Sequence, residues 1–131
     1  KRPGQAGEQQ ALAALLGKDF FAGGRGFFRH EEQRAEHRRA ALEVLAWAGQ
    51  ALARVELLVL DEALYALGSG LLLEGEVKDI IAEARMQGAH LVLSGRGLPD
   101  WLREEADIIT QMLPLKHAYE EGVQALKGIE Y

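Results

Sequence analysis

Two adjacent carboxylates, Asp61 and Glu62, follow directly on an apolar run from Leu57 to Leu60. This is the Walker B pattern of enzymes that act on nucleoside triphosphates, in which a buried strand delivers a carboxylate to the Mg²⁺ that accompanies the phosphates. An acidic residue that only ends a strand or caps a helix would give the same local pattern. The pair therefore indicates half of a triphosphate site, and a solvated strand end remains the alternative.

The glycine-rich loop that would cradle the phosphates is not found in this sequence. Such a loop reads GxxxxGK[ST], whereas Gly17-Lys18 is followed by Asp19, and Leu12 stands where the first glycine is needed. The opening residues Lys1 to Gly4 read like a loop entered from something upstream. We therefore expect the chain to be part of a longer protein and, as it stands, to be incomplete for activity.

Three further groups could contact a ligand. Arg96 lies between two glycines, which would let an anion approach the backbone, although a tight turn with a surface arginine fits equally well. Lys116-His117 could bind phosphate or could begin a solvated helix. Phe27 and Phe28 stand in a glycine-rich loop. We expect one of these rings to cover the core, and the other could be offered to a flat ligand.

The elements that must position these residues alternate between strands and helices. Apolar runs predict strands, and apolar residues at helical spacing predict amphipathic helices. The run from Leu57 to Leu60 predicts a strand that is buried on both faces. The predicted strands are 19–22, 57–60, 90–94 and 107–113, and the predicted helices are 9–16, 31–53, one around 77–84 that ends at Gly88, 99–105 and 118–126.

This order predicts one α/β domain over residues 1–131, with a mostly parallel sheet and flanking helices. In a parallel sheet, ligands bind beyond the carboxyl ends of the strands. We therefore expect Asp61-Glu62, the segment from Gly95 to Gly97, and Lys116-His117 to face one another across one rim.

Composition excludes several classes of site. The chain has no cysteine, which excludes a thiolate zinc site and a cysteine nucleophile. No pair of histidines has metal-ligand spacing. The formal net charge of −5 provides no basic excess for nucleic acid. No apolar run approaches the ~18 residues of a membrane span. We expect a cytoplasmic protein that binds neither nucleic acid nor a membrane.

Several motifs recur at consistent spacing over essentially the whole chain. They are Asp61, Glu62 and Tyr65; Ser94 to Gly97; Ala106-Asp107; Leu115-Lys116-His117; Gly122 to Tyr131; and, nearer the start, Gly7-Glu8 and the GRGFF loop. Together they resemble the ATP:corrinoid adenosyltransferases of the phosphate-loop type. The resemblance implies a phosphate-loop NTPase (recombinase-like) fold that lacks its first βαβ unit here.

The resemblance also implies a reaction, its ligands and its partners. The 5′-deoxyadenosyl group of ATP would be transferred to the Co(I) centre of a corrinoid such as cobalamin, with release of triphosphate. Glu62 and Asp61 would be the catalytic carboxylates that hold Mg²⁺. A homodimer and a flavoprotein reductase would be the expected protein partners. The residues expected to bind the corrinoid and ATP are Arg25, Phe27, Phe28, Arg29, Arg96, Lys116 and His117.

One departure from the family pattern concerns the aromatic loop. The family loop commonly reads GTGF followed by Thr and Trp, whereas Phe28 and Arg29 stand at those last two positions. We therefore expect displacement of the corrinoid's lower ligand to work differently, or to suit another corrinoid.

Two other functions stay open. One is a non-catalytic corrinoid- or partner-binding module that has lost its phosphate loop. The other is a recombinase-like ATPase, which would share Asp61-Glu62 but would not need the C-terminal KH…GIEY segment. The residues before Lys1 separate the enzyme from the module. A GxGKGKT-like stretch there selects the enzyme, and a native methionine directly before Lys1 selects the module.

Overall fold

The computed structural model describes residues 6–26, 28, 30–124 and 126. Five helices, two strands and three short 3₁₀ turns make up the regular structure of these residues. In chain order they are α1 (Gly7–Leu16), a 3₁₀ turn (Gly17–Asp19), a 3₁₀ turn (Glu31–Gln33), α2 (Arg34–Leu52), β1 (Leu57–Leu60), α3 (Ala63–Gly68), α4 (Glu74–Gln87), β2 (His90–Leu93), α5 (Asp100–Glu105) and a 3₁₀ turn (Ala118–Glu121).

Strands β1 and β2 form a parallel pair, with Leu57 opposite His90 and Leu60 opposite Leu93. The chain between them passes through α3 and α4, as a parallel connection requires. The predicted α/β class and parallel pairing are therefore confirmed. Because the two strands end at the same level, the residues that follow them emerge side by side.

The core lies between one face of this sheet and helices α2 and α4. Helix α2 contributes small residues, Ala48 and Ala51, which are fully buried and let the helix approach the sheet closely. The remaining buried members of the cluster are Leu52, Leu58, Leu60, Ala63, Ile80 and Ala84. Each fully buried leucine or isoleucine stabilises the fold by about 1.5–3 kcal/mol, so the packing of α2 and α4 against the sheet holds the sheet in place.

An ion pair joins the two helices of this layer. Arg38 on α2 pairs with the carboxylate of Glu76 on α4, and its Nη1 also donates to the carbonyl oxygen of Leu71 at 3.0 Å. Glu76 in turn accepts a hydrogen bond from the backbone N–H of Leu73 at 2.8 Å, which caps the start of α4. The Arg38 guanidinium, helped by that N–H, lowers the pKa of the Glu76 carboxyl.

The second face of the sheet differs from the prediction. Leu58 and Leu60 are buried, but Leu57 and Val59 remain 55% and 54% exposed. Val92 on β2 is 45% exposed on the same sheet. Burial of β1 on both faces is therefore wrong for the described residues, because none of the described elements packs on the second face.

The strand predicted at residues 107–113 is also wrong. These residues form no strand, and the sheet contains only β1 and β2 in the described part of the chain. Their apolar side chains stay in solvent, with Ile108 86% and Met112 90% exposed. An extended segment becomes a strand only when a neighbour takes up its backbone N–H and C=O groups, and no described neighbour does so here.

Two other predicted elements change type. Residues 19–22 form no strand: the 3₁₀ turn ends at Asp19, and residues 20–22 have no regular secondary structure. The final helix predicted at 118–126 shortens to one 3₁₀ turn, which is followed by Gly122 with a left-handed φ of 77°. A single exposed turn without a packing surface is not extended into a helix, because nucleation is costly. Residues 125 and 127–131 lie outside the described residues.

The other helix predictions are confirmed. Gly17 ends α1, and its N–H donates to the carbonyl of Ala13. Gly88 ends α4 in the left-handed conformation, with φ of 68°. Pro99 directly precedes α5. Among the described residues, no helix has both the length and the apolar character that crossing a membrane requires.

Candidate functional site

Asp61 and Ser94 meet at the carboxyl end of the sheet because Leu60 and Leu93 are paired in the register. The Ser94 hydroxyl donates to Oδ1 of Asp61 at 2.5 Å, and Oγ of Ser94 accepts from the backbone N–H of Glu62 at 3.0 Å. The carbonyl of Ser94 accepts from the N–H of Leu64 at 3.1 Å. Ser94 therefore ties together the end of β1, the Asp61 carboxylate and the first turn of α3.

Glu62 has an unusual backbone. Its φ of 58° and ψ of 21° are left-handed, and it is the one non-glycine residue with positive φ among the described residues. For an L-residue this conformation costs about 1–2 kcal/mol. Such conformations persist where surrounding structure holds them, and they cluster at functional sites. Here the turn lets α3 begin at Ala63, directly after the carboxylate pair.

Gly95, in the loop after β2, lies against the first turn of α3. Its φ is 130°, a conformation that L side chains rarely adopt. A Cβ atom on Gly95 would lie 3.0 Å from Cβ of Leu64 and 3.1 Å from the backbone N of Tyr65. The loop after β2 therefore packs directly against the first turn of α3, and only glycine allows this approach.

The donor set at this end of the sheet suits a hard cation. Asp61 and Glu62 are both exposed, and the Glu62 carboxylate makes no hydrogen bond or ion pair with the described residues. Among those residues, no group of three His, Cys, Asp or Glu side chains could enclose a metal. Mg²⁺ is usually held by one or two carboxylates together with water and substrate phosphates. An open pair of carboxylates therefore fits Mg²⁺ that arrives with a phosphate ligand.

The predicted basic residues are placed differently from one another. Arg96 is exposed in the loop after β2, at the same edge of the sheet as Asp61. Lys116 instead pairs with Glu121, Nζ to Oε1, at 2.8 Å. Nδ1 of His117 accepts from the N–H of Tyr119 at 3.1 Å and caps the last 3₁₀ turn. The rim expected to unite all three groups is incomplete, because the strand that would deliver Lys116 and His117 does not form.

The aromatic loop lies against α2. The Phe28 ring is half-buried, 5.5 Å from the His37 ring and 5.1 Å from the Arg34 guanidinium carbon. Nη2 of Arg25 lies 3.4 Å from Oε2 of Glu43. Phe28 therefore contacts the first turns of α2. Phe27 and Arg29, the other two predicted residues of this loop, lie outside the described residues.

Sequence reasoning did not identify two features of this site. It did not pair Ser94 with Asp61, although Asp61 directly follows one predicted strand and Ser94 is the last residue of the other. It also missed α3 and the left-handed turn at Glu62. A sequence signal for the Ser94 contact existed, because parallel strands that end in register place their next residues side by side. No local signal marks Glu62, since glutamate does not favour this conformation.

Comparison with known proteins places the geometry in a family context. All residues from 1 to 131 match the model of a family described as "ATP:corrinoid adenosyltransferase BtuR/CobO/CobP". The match includes the Asp61-Glu62 strand end, the loop after β2 and the aromatic loop.

Curated relatives carry a matching name. A "Corrinoid adenosyltransferase" of Pseudomonas aeruginosa is 41% identical over 113 residues, which cover 82% of this chain and 54% of that protein. A protein of the same name from a Sinorhizobium species is 31% identical and covers 95% of this chain and 60% of its own length. One from Escherichia coli is 31% identical over a match that covers 88% of this chain and 59% of that protein. The chain thus spans between 54% and 60% of the lengths of these relatives.

Proposed function

Because the chain belongs to the ATP:corrinoid adenosyltransferase family, we propose that its protein transfers the 5′-deoxyadenosyl group of ATP to the Co(I) centre of a corrinoid. The cobalt supplies the electron pair of the new cobalt–carbon bond. The C5′–O bond of ATP breaks, and its electrons leave with triphosphate. The corrinoid thus carries the nucleophile, and the protein must align C5′ with cobalt and stabilise the leaving group.

The observation that carries this proposal is the oriented carboxylate pair at the end of β1. Ser94 holds Asp61 at 2.5 Å, and the left-handed turn sets Glu62 directly beside it, with a carboxylate that has no partner among the described residues. Asp61 and Glu62 would together hold Mg²⁺, which would offset the charge of the leaving triphosphate. A preorganised pair costs little reorganisation when the ligand binds.

The remaining residues divide between the two substrates. Arg96 lies at the same edge as the carboxylates and is proposed to contact the triphosphate. Lys116 and His117 are proposed to join it there, which requires the segment after α5 to approach the sheet. On the corrinoid side we assign Arg25, Phe27, Phe28 and Arg29. A reductant for the cobalt is also needed, and a flavoprotein reductase is the proposed class of partner.

A charge-removing pair of variants tests the carboxylate site. In the full-length protein, Glu62→Gln is expected to slow formation of adenosylcobalamin at least about tenfold at saturating Mg²⁺ and ATP. The control, Glu56→Gln, removes the same charge from an exposed residue directly before β1. It should leave the rate unchanged. Cob(I)alamin consumption, followed by absorbance, gives the rate, and circular dichroism verifies that both variants remain folded.

Two results would count against the proposal in different ways. If wild-type protein with reduced corrinoid, ATP and Mg²⁺ forms no adenosylated product, the proposed reaction is wrong. If wild-type is active and folded Glu62→Gln matches it, the reaction stands, but Glu62 has no part in it.

A further inference from the structure

The segment formed by residues 19–26 and 28 lies along α2 and is here called the strap. It runs antiparallel to the helix, so that its first residues meet the end of α2 and its last residues meet the start. The paired contacts, in order along the strap, are Asp19 with Arg54, Phe21 with Trp47, Gly23 with Val44, Arg25 with Glu43, and Phe28 with His37 and Arg34.

The contacts follow α2 in reverse order but at uneven spacing. Arg54 and Trp47 lie about two helical turns apart, whereas Val44 and Glu43 are adjacent in the chain. Gly23 makes the closest approach: a Cβ atom there would overlap Cγ2 of Val44. The strap thus has a defined register on the helix, which fixes where its aromatic end lies.

Arg34 holds that aromatic end. Its guanidinium carbon lies 5.1 Å from the centroid of the Phe28 ring, a cation–π distance. Nη2 of the same guanidinium lies 3.1 Å from Oε2 of Glu31, and its Nε pairs with the other carboxylate oxygen. The bidentate pair orients the flat face of Arg34, so the position of the Phe28 ring depends on it.

The third contact of Arg34 reaches the other half of the proposed site. Its Nη1 donates to the carbonyl oxygen of Ser69 at 2.9 Å, directly after the last residue of α3. Helix α3 is six residues long and starts directly after Glu62. One guanidinium therefore bridges the end of the aromatic strap and the helix that begins at the carboxylate pair.

We infer that Arg34 is a positioning residue that sets the aromatic end of the strap relative to the Asp61-Glu62 end of the sheet. The inference rests on the proposed function, in which these two elements bind the corrinoid and MgATP. Loss of Arg34 should weaken productive corrinoid binding, because Phe28 loses its support. ATP binding should change little, because Ser94 and Gly95 hold the carboxylate end independently.

The test compares Arg34→Gln and Arg34→Lys in the full-length protein. Lysine keeps the charge but lacks the planar fork that makes all three contacts, so it should not rescue. Arg39→Gln is the matched control, since it removes an arginine from the exposed side of the same helix. The first readout is independent of activity and uses NMR. The Phe28 ring shifts the resonances of the His37 ring protons through its ring current, and Phe28→Leu gives their position without that ring.

Arg34→Gln and Arg34→Lys should move the His37 resonance most of the way to its position in Phe28→Leu, and Arg39→Gln should not move it. In steady-state kinetics both Arg34 variants should raise the KM for the corrinoid about tenfold, with the KM for ATP unchanged. A His37 resonance at its wild-type position in folded Arg34→Lys overturns the inference. So does an equal rise in both KM values.

The same experiment separates this inference from the proposed function. If the wild-type protein forms no adenosylcobalamin, the reaction and the kinetic role of Arg34 are both wrong. If the protein is active and the Arg34 variants retain the wild-type resonance and KM values, the reaction stands and the positioning role is wrong.

Discussion

A methyl group on Gly95 would test whether the loop after β2 positions α3. In Gly95→Ala the new Cβ would lie 3.0 Å from Cβ of Leu64 and 3.2 Å from its backbone N. Both atoms belong to the first turn of α3, where a flexible side chain cannot simply move away. The backbone must also keep a φ of 130°, which costs an L-residue on the order of 1–3 kcal/mol.

The two costs can be separated with a second glycine of the same loop. Gly97 also has a positive φ, 79°, but a Cβ there would meet nothing within 4 Å. Gly97→Ala should therefore cost only the backbone strain. Gly95→Ala should add about 1–3 kcal/mol for overpacking, for a total of ~2–6 kcal/mol. That total is a large part of the ~5–15 kcal/mol that stabilises an ordinary domain.

Urea unfolding of the full-length protein, followed by circular dichroism, gives the free energy of unfolding for both variants. We expect Gly95→Ala to be the less stable by about 1–3 kcal/mol. Folded Gly95→Ala should also need more Mg²⁺ for half-maximal adenosylation, because a displaced α3 moves Leu64 and with it the Ser94 contact. Equal destabilisation by the two alanines would refute the idea that this loop packs on α3.

Three other predictions concern the helices, the loop and assembly. The lowered pKa of Glu76 means that its pair with Arg38 stabilises the fold above the ordinary carboxyl pKa, and that this stabilisation is lost as pH falls. Glu76→Gln should therefore lower stability at neutral pH and reduce the loss of stability on acidification. Urea midpoints of the variant and the wild type that change in parallel with pH would contradict this. Phe27→Ala should impair adenosylation of corrinoids that carry a lower ligand more than of those that lack one, whereas an equal loss would indicate packing alone. The full-length protein should be a homodimer in light scattering at micromolar concentration, and a monomer mass would exclude it.

Much of the secondary structure follows from local pattern. The apolar runs at Leu57–Leu60 and His90–Leu93 are strands, and Gly17 and Gly88 end helices as their positions predict. Alternating strands and helices were sufficient to predict parallel pairing. The position of Asp61-Glu62 at a strand end also follows from sequence, because it depends only on where an apolar run stops.

Other features depend on residues far apart in the chain. Residues 107–113 are as apolar as a strand, yet they form none, because the sequence of a segment does not supply the neighbour that must pair with its backbone. The course of the strap likewise depends on contacts such as Phe21 with Trp47 and Phe28 with Arg34. Nothing in residues 19–28 alone distinguishes such a path from a short strand.

The candidate site combines both kinds of information. Its residue types and its place after β1 can be taken from the sequence alone. The tertiary structure decides that Ser94 binds Asp61, that Gly95 packs on Leu64, and that Glu62 takes a left-handed backbone. The physical reason is that local pattern determines which segments are helices or strands. Register and close packing between distant segments then decide which side chains meet, and can impose a conformation that a residue's own preference would disfavour.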